Sequence, residues 1–526
     1  MARKNSKIKA STAPAQDVRV ENSENVSVTQ NIDQHRETKN YRVKISPGLV
    51  AGLIVVALLG VTGIFYLIWG TLYALAPMGG NLNILVVPFV EKNFGVYSQN
   101  DLGRNIAQTF SEELSASEQA NTAGLKFRVL GPSDKAPSIW GFSEGDLDQS
   151  AQNLSEQLNA QIVIYGVLTT DEYGDHLASV RFYISPTNFG DAQELIGSAS
   201  LGELEIGSFR IVGNTVSGDD LLAQNKEMRE RVQIFSLLIK GLGAFIGQDF
   251  GTAGKYFDQA GDPALWSNAN GLEVVYLLSG NLALRHAREL LDANQLDDAL
   301  HMADQAADFF DQASKTCAAN GKGTYARSFL GLAGVESFRA IAKARAANDV
   351  KIIDAQALQR QEEYLRKALT ADYRPESADI PEKVAYSRAQ LALAHYQLDP
   401  KPAYLQGAKS NYQAVVDSYK KGNKRLIELA ALSDAGLANV AWIERDYKTA
   451  VDRFLAAFET TRVPALKAQV LVNIGRIYDA QKNTEKALKY YQDALERRSD
   501  LQKVMSAQEI AQVEQRIKQL HTGGNP

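Results

Sequence analysis

Cysteine is almost absent from this chain of 526 residues: there is one, Cys317. No disulfide can form within the chain, so whatever folds outside the cytoplasm must hold by packing alone. A single Cys without a partner fits a small buried apolar group better than a reactive thiol. Histidine is scarce too. The six, His35, His176, His286, His301, His395 and His521, are scattered, and no HxxxH or HExxH spacing brings two of them to one helical face for a metal. An excess of basic charge is also missing. The formal net charge is −5; the first 44 residues are basic, so the remainder is more acidic still, which argues against a nucleic-acid partner.

Catalytic motifs are lacking as well. "NGKGT" (Asn320–Thr324) resembles a fragment of a phosphate loop, but that loop needs GxxxxGK[ST] after a strand, and this stretch lies between helical segments, so it reads as a turn. "GLGAFIGQDFG" (Gly241–Gly251) has the spacing GxGxxxG, which fits no dinucleotide fingerprint. "DEYGDH" (Asp171–His176) gathers carboxylates and a histidine where a hairpin should turn, and reads as a solvated turn. No set of residues supplies a nucleophile with its base. The chain is expected not to be an enzyme and to need no cofactor or metal.

One long apolar run is present. Leu49–Ala76, "LVAGLIVVALLGVTGIFYLIWGTLYALA", contains no charge and is long enough to cross a hydrocarbon core of about 30 Å. It lies too far from the start and is too long for a secretory signal, so a transmembrane helix is expected over 45–78. Arg36, Lys39, Arg42 and Lys44 precede it, and the next basic residue is Lys92, which places the amino terminus in the cytoplasm. Residues 1–44, polar and without apolar period, read as a disordered tail.

The segment 82–210 has a different pattern. "NILVVPFV" (Asn83–Val90) and "QIVIYGVL" (Gln161–Leu168) are continuous apolar runs, "KFRVLGP" is a further strand, and two amphipathic helical segments separate them. Such an order implies parallel strands buried on both faces. "HLASVRFYI" alternates Ala178, Val180, Phe182 and Ile184, as an antiparallel strand would, with "LIGSASLGELEI" as its partner. The expected order is β-α-β-α-β-β-β, followed by a linker over 211–232.

From 233 to 500 the period changes to that of helices. In "LVNIGRIYDAQKNTEKALKYYQDALE" (Leu471–Glu496), Ile474, Gly475 and Tyr478 form one face, a polar turn follows, and Ala487, Tyr491 and Ala494 form a second. Gly475 and Ala487, twelve apart, allow close approach while Tyr478 and Tyr491 fill the space beside them. The same register recurs as Ala438 with Ala450, Phe454 and Ala457; as Ala287 with Ala299, Ala303 and Ala306; and as Gly241 with Ala253, Phe257 and Ala260. Units around Ala408, Tyr412 and Val415 and around Leu365 and Ala368 are degenerate. Ile510, Val513, Ile517 and Leu520 then share one face, as a terminal capping helix within 501–526 requires.

The 471–496 stretch closely resembles a tetratricopeptide repeat, with spacings longer and less regular than the roughly 34 residues of an even array. "ILVVPFV" and "NAQIVIYGVL" look like the small α/β domain at the amino terminus of TolB-type bacterial envelope proteins, which implies an interaction or assembly module without a catalytic centre. The fold class is therefore α plus α/β: a single transmembrane helix, a small α/β domain and an irregular helical solenoid. The repeat resemblance implies protein or peptide partners held by first helices, which singles out Asn439, Trp442, Asn473 and Arg476. Together these features describe a scaffold or adaptor at the outer side of a bacterial cytoplasmic membrane. The alternative is an envelope sensor whose α/β domain binds a small ligand or polymer and relays it through the repeats.

Overall fold

The computed structural model describes residues 78, 82–93, 96–119, 127–132, 144–170, 174–185, 204–211, 225–247, 249–267, 269–374, 379–502, 504–505 and 507–522. The tail 1–44 and the apolar run Leu49–Ala76 lie outside them. Among the described residues one helical stretch, Lys424–Ile443, is long and apolar enough to cross a bilayer, but 67% of its apolar window is buried inside the protein, as befits a core helix.

Seven strands form one mixed sheet around β5 (Ile162–Thr170). Along one edge β5 pairs in parallel first with β1 (Leu82–Val86), Ile84 opposite Ile162, and then with β2 (Val90–Asn93), Val90 opposite Val167. The apolar run Asn83–Val90 is divided between β1 and β2 at Pro88, which has no N–H for the ladder and so suits a strand end. Val87 N still donates to Ile164 O at 3.0 Å, whereas Phe89 N turns away to Gly103 O at 3.1 Å. β2 then folds back into β3 (Val96–Gln99), while β4 (Phe127–Leu130) lies parallel to β1. The observed sheet thus holds two short strands beyond the expected order. On the other edge β6 (His176–Ile184) runs antiparallel to β5 over its whole length, and β7 (Leu204–Ile211) follows β6.

Side-chain alternation along each strand separates two cores. Leu85, Val163, Tyr165 and Tyr183 meet Leu147, Ala151 and Leu154 of a helix over Glu144–Leu158. Ile84, Val86, Ile164 and Phe182 meet Ile106, Phe110 and Leu114 of the helix Asp101–Gln119. Numbering these in chain order, α1 is Asp101–Gln119, α2 is Glu144–Leu158, and α3 is Lys226–Ile246.

α3 shows that the expected linker over 211–232 is partly helix. It opens at Asn225, whose side chain accepts from Met228 N at 2.9 Å and donates to Arg210 O of β7 at 2.6 Å. It then lays Met228, Val232 and Phe235 into the same core as the sheet. Phe235 meets Phe110 edge-on (5.7 Å, 82°) and Phe182 edge-on (5.4 Å, 80°). The first helix of the solenoid therefore completes a layer of the α/β module.

Six helix pairs follow from α3: α3 with α4 (Phe250–Ala260), α5 (Leu272–Asp292) with α6 (Leu296–Ala319), α7 (Ala326–Ala347) with α8 (Ala355–Thr370), α9 (Ile380–Leu398) with α10 (Pro402–Lys420), α11 (Ile427–Ile443) with α12 (Tyr447–Thr460), and α13 (Pro464–Ala480) with α14 (Thr484–Leu495). A short α15 (Arg498–Leu501) and α16 (Ala507–His521) close the end, with Ile510 and Val513 buried and Ile517 and Leu520 packed against the last core. In the last two pairs the turn residue is left-handed, Arg445 (φ 62) and Lys482 (φ 59). The following Asp446 and Asn483 accept from Thr449 N and Lys486 N at 3.1 and 3.2 Å, capping the second helix.

Glycine is used where an aromatic ring lies flush on a neighbouring backbone. A Cβ on Gly475 would sit 2.6 Å from the Tyr491 ring, so its close neighbour is Tyr491 rather than Ala487. In the second pair Ala303 occupies the aromatic position, and Phe310, further along α6, does the filling: Cβ atoms on Gly280 and Gly331 would lie 2.7 and 2.4 Å from its ring.

Phe235→Ala should destabilise the chain by about 3–5 kcal/mol, the usual cost of emptying such a site. In urea titrations followed by circular dichroism the sheet and the helices should both unfold at lower denaturant. Loss of one signal with the other unchanged would mean that the two modules do not share this core.

Candidate functional site

Residues from the first helices of successive pairs, α5, α7, α9, α11 and α13, line a groove of about 510 Å³. Its apolar surface comes from Ile341, Leu393, Leu432 and Leu466, and amides from Gln390, Gln397, Asn439, Gln469 and Asn473 stand among them. Arg285, Arg288 and Arg345 occupy the α5 and α7 end. Ile341 is 38% exposed, a rare state for a large apolar residue here. Apolar contact beside amides that both donate and accept suits an extended backbone.

The four residues singled out from sequence divide. Asn439 is exposed and Asn473 half-buried, and both line the groove. Arg476 is not in the lining, but donates from Nη1 to Asn473 Oδ1 at 3.3 Å. Trp442 is half-buried against the core that joins the fifth and sixth pairs. The sequence reading did not single out the other polar lining residues: the glutamines of α9 and Arg345 of α7 lie in the degenerate units, and Arg285 and Arg288 flank Ala287 in a unit that keeps the register.

Buried polar contacts set the spacing of the helices under the groove. Glu428, 2% exposed, accepts from Thr461 Oγ1 at 2.5 Å and from Arg462 N at 2.9 Å, fixing the turn between α12 and α13 against α11. Burial pushes its carboxyl above the ordinary range, against the pull of those hydrogen bonds. Asp434 is raised by burial likewise, opposed by Arg453. Arg453 donates to Asp434 Oδ1 at 2.8 Å and to Gln413 Oε1 at 3.0 Å, so three helices share one guanidinium. Arg516 grips Asp479 through two nitrogens, at 2.7 and 2.8 Å, holding α16 on α13. On the Arg462 side chain a different contact forms. It pairs with Glu156 of α2 beside a cavity of about 400 Å³ lined by Ser155, Asn159, Ser185 and Pro464.

Among the described residues no group of three or more His, Cys, Asp or Glu side chains is placed to hold a metal ion. Cys317 is buried, and burial pushes its thiol up to about 12, away from the thiolate a nucleophile needs. In "NGKGT", Gly321 and Gly323 take left-handed turns (both φ 75). Lys322 Nζ there lies 2.8 Å from the buried Glu273, which ties the turn to α5.

Residues 428–500, which span the last two pairs, match the tetratricopeptide repeat family. Among solved structures, a Rap protein complexed with competence and sporulation factor is similar at 12% identity over 58% of this chain and 80% of that one, with a TM-score of 0.31. A signal transduction ATPase with numerous domains and a tetratricopeptide repeat sensor, from Pyrococcus horikoshii, is similar at 12% identity over 52% of this chain and 38% of that one, with a TM-score of 0.30. No curated protein matches the chain.

Glu428 gives a pH dependence whose sign is fixed. Its folded pKa lies above the ordinary 4.5, so its contribution to stability is full below that value and is lost as pH rises through the raised one. Glu428→Gln should flatten the stability curve in the window just above pH 4.5, seen as urea midpoints at stepped pH. A slope equal to the parent's would mean that Glu428 is not the group responsible.

Proposed function

We propose that this protein is a membrane-anchored scaffold or adaptor that holds protein or peptide partners in the groove of its first helices. The observation that carries the reading is the groove itself. It is continuous across five first helices, with amides and guanidiniums standing among apolar side chains, and its far end falls in the stretch that matches tetratricopeptide repeats. An extended segment laid across it would bury its apolar side chains on Leu393 and Leu432 and exchange backbone hydrogen bonds with Asn439 and Asn473. The α/β module, with its likeness to the TolB-type amino-terminal domain, serves in this reading as a second, non-catalytic contact surface.

Anchoring by 49–76 with the amino terminus in the cytoplasm would confine the groove to the outer membrane-facing space and raise its effective concentration for envelope partners. The charge asymmetry of the flanks supports that orientation. Protease added to intact spheroplasts should digest the repeats and spare residues 1–44; digestion of the tail with the repeats spared would reverse the topology.

A sensor is the second reading, favoured by one observation: Phe235 belongs both to the sheet's core and to the solenoid's first helix, so a ligand on the α/β module would act on the repeats through packed side chains. A ligand that raises the melting temperature of the full chain in detergent through the α/β module would favour it.

The groove is tested with photo-crosslinking side chains placed at Asn473, in the groove, and at Lys489, on a second helix. In native membranes the Asn473 position should give discrete adducts that Asn439→Ala weakens, with melting unchanged within the roughly 0.5 kcal/mol expected of a surface substitution. Equal adducts from both positions would move partner binding away from the groove.

A further inference from the structure

We infer that Glu156 and Arg462 form a clasp that closes the far end of the solenoid onto the α/β module, a reversible joint that fixes the position of α13. The two attachments of the solenoid differ in kind. At its start α3 is built into the core on the α1 face of the sheet, through Met228, Val232 and Phe235. Further on, the turn between α12 and α13 reaches α2, which covers the opposite face, and the contact there is the ion pair of Arg462 with Glu156.

Around that pair the apolar side chains turn away from each other. Leu154, Leu158 and Ala160, on either side of Glu156, are buried with Leu85, Val163 and Tyr165 of their own sheet. Val463, Ala465 and Leu466, beside Arg462, are buried with Ala450, Phe454 and Ile474 of the solenoid. Among the described residues no buried apolar cluster takes members from both α2 and the α12–α13 turn. Where a core would lie there is the cavity of about 400 Å³, with Ser155, Asn159 and Ser185 in its wall. Arg462 and Glu156 keep 42% and 30% of their side chains exposed, and a pair so exposed holds weakly. A weak polar joint at one end and a packed one at the other let the first open while the second stays folded.

The arginine is nonetheless aimed. Its N–H donates to the buried Glu428 at 2.9 Å, so the backbone that carries the guanidinium is held on α11. Pro464 then opens α13, and Leu466, Gln469 and Asn473 of that helix line the groove. The clasp therefore sets how far α13 stands from α5, at the groove's other end. In a repeat array each unit touches only its neighbours, so a displacement of the far end is shared among many small ones. Opening moves α13 without disturbing Phe235.

The test uses spin labels in the full chain in detergent, at Asn153→Cys on α2 and Lys489→Cys on α14, both exposed positions. The native thiol, Cys317, is buried and held protonated, so the labels go to the introduced cysteines. Double electron–electron resonance should give one narrow distance for the parent, with a longer population growing as salt rises. Arg462→Glu sets like charges together and should raise that longer population several-fold, with the melting temperature kept, since surface ion pairs add little stability. Glu156→Arg with Arg462→Glu restores the pair with its charges exchanged and should bring the narrow distance back. The clasp closes without a partner in the groove, so this outcome is independent of peptide binding. Distances that Arg462→Glu leaves unchanged would overturn the clasp, as would a lengthening that the exchange of charges does not reverse. If Arg462→Glu folds poorly, Glu156→Arg, on the exposed side of α2, makes the same test.

Discussion

The ring of Phe235 stands edge-on between Phe110 of α1 and Phe182 of β6, 5.7 and 5.4 Å between centroids, and the arrangement of everything after it follows from that contact. Aromatic pairs at such distances and angles gain stability beyond the area they bury. Here the three rings come from a sheet-covering helix, a strand and the first solenoid helix. Because Asn225 also caps α3 while bonding to β7, the helix enters the solenoid with both its depth and its direction set by the sheet. A repeat array normally needs a polar terminal unit to protect its first apolar face. In this chain the α/β module covers that face instead.

The repeats then propagate by a rule that tolerates irregular length. Several helices meet where an aromatic ring is seated on a glycine backbone, as Phe257 sits on Gly241, Tyr412 on Gly436 and Tyr491 on Gly475. Where the second pair has Ala303 in place of the aromatic, Phe310 further along the longer α6 reaches Gly280 and Gly331 instead. Buried carboxylates at Glu428 and Asp434 add position at a cost, since burial raises both; each is matched by two donors or a guanidinium that a misplaced helix would not meet. The product is an array whose first helices stay aligned closely enough to form one groove although their lengths differ.

Much of this was legible from residue order. The alternation of Ala178, Val180, Phe182 and Ile184 names the face that β6 turns to the core, and the Gly475, Ala487, Tyr491, Ala494 register locates the last pair. Other features were hidden for physical reasons. Pro88 marks a strand end because it has no N–H to donate, but nothing in the run says that Phe89 N will bond to Gly103 O and that a second strand will resume at Val90. The docking of Phe235 joins residues far apart in sequence, so the stretch before it looked like a linker. Of the residues named from the repeat register, Asn439 and Asn473 line the groove and Trp442 lies half-buried against a neighbouring core, while the polar residues of α7 and α9 lie in units too irregular to align.

Native-state hydrogen exchange on the full chain in detergent tests most directly whether sheet and solenoid form one cooperative body. Amides of β5 and β6 and those of α3 should open together, with one free energy and one dependence on denaturant. Exchange of α3 at low denaturant while β5 and β6 remain protected would show that the solenoid is only tethered to the α/β module, and would contradict the shared core.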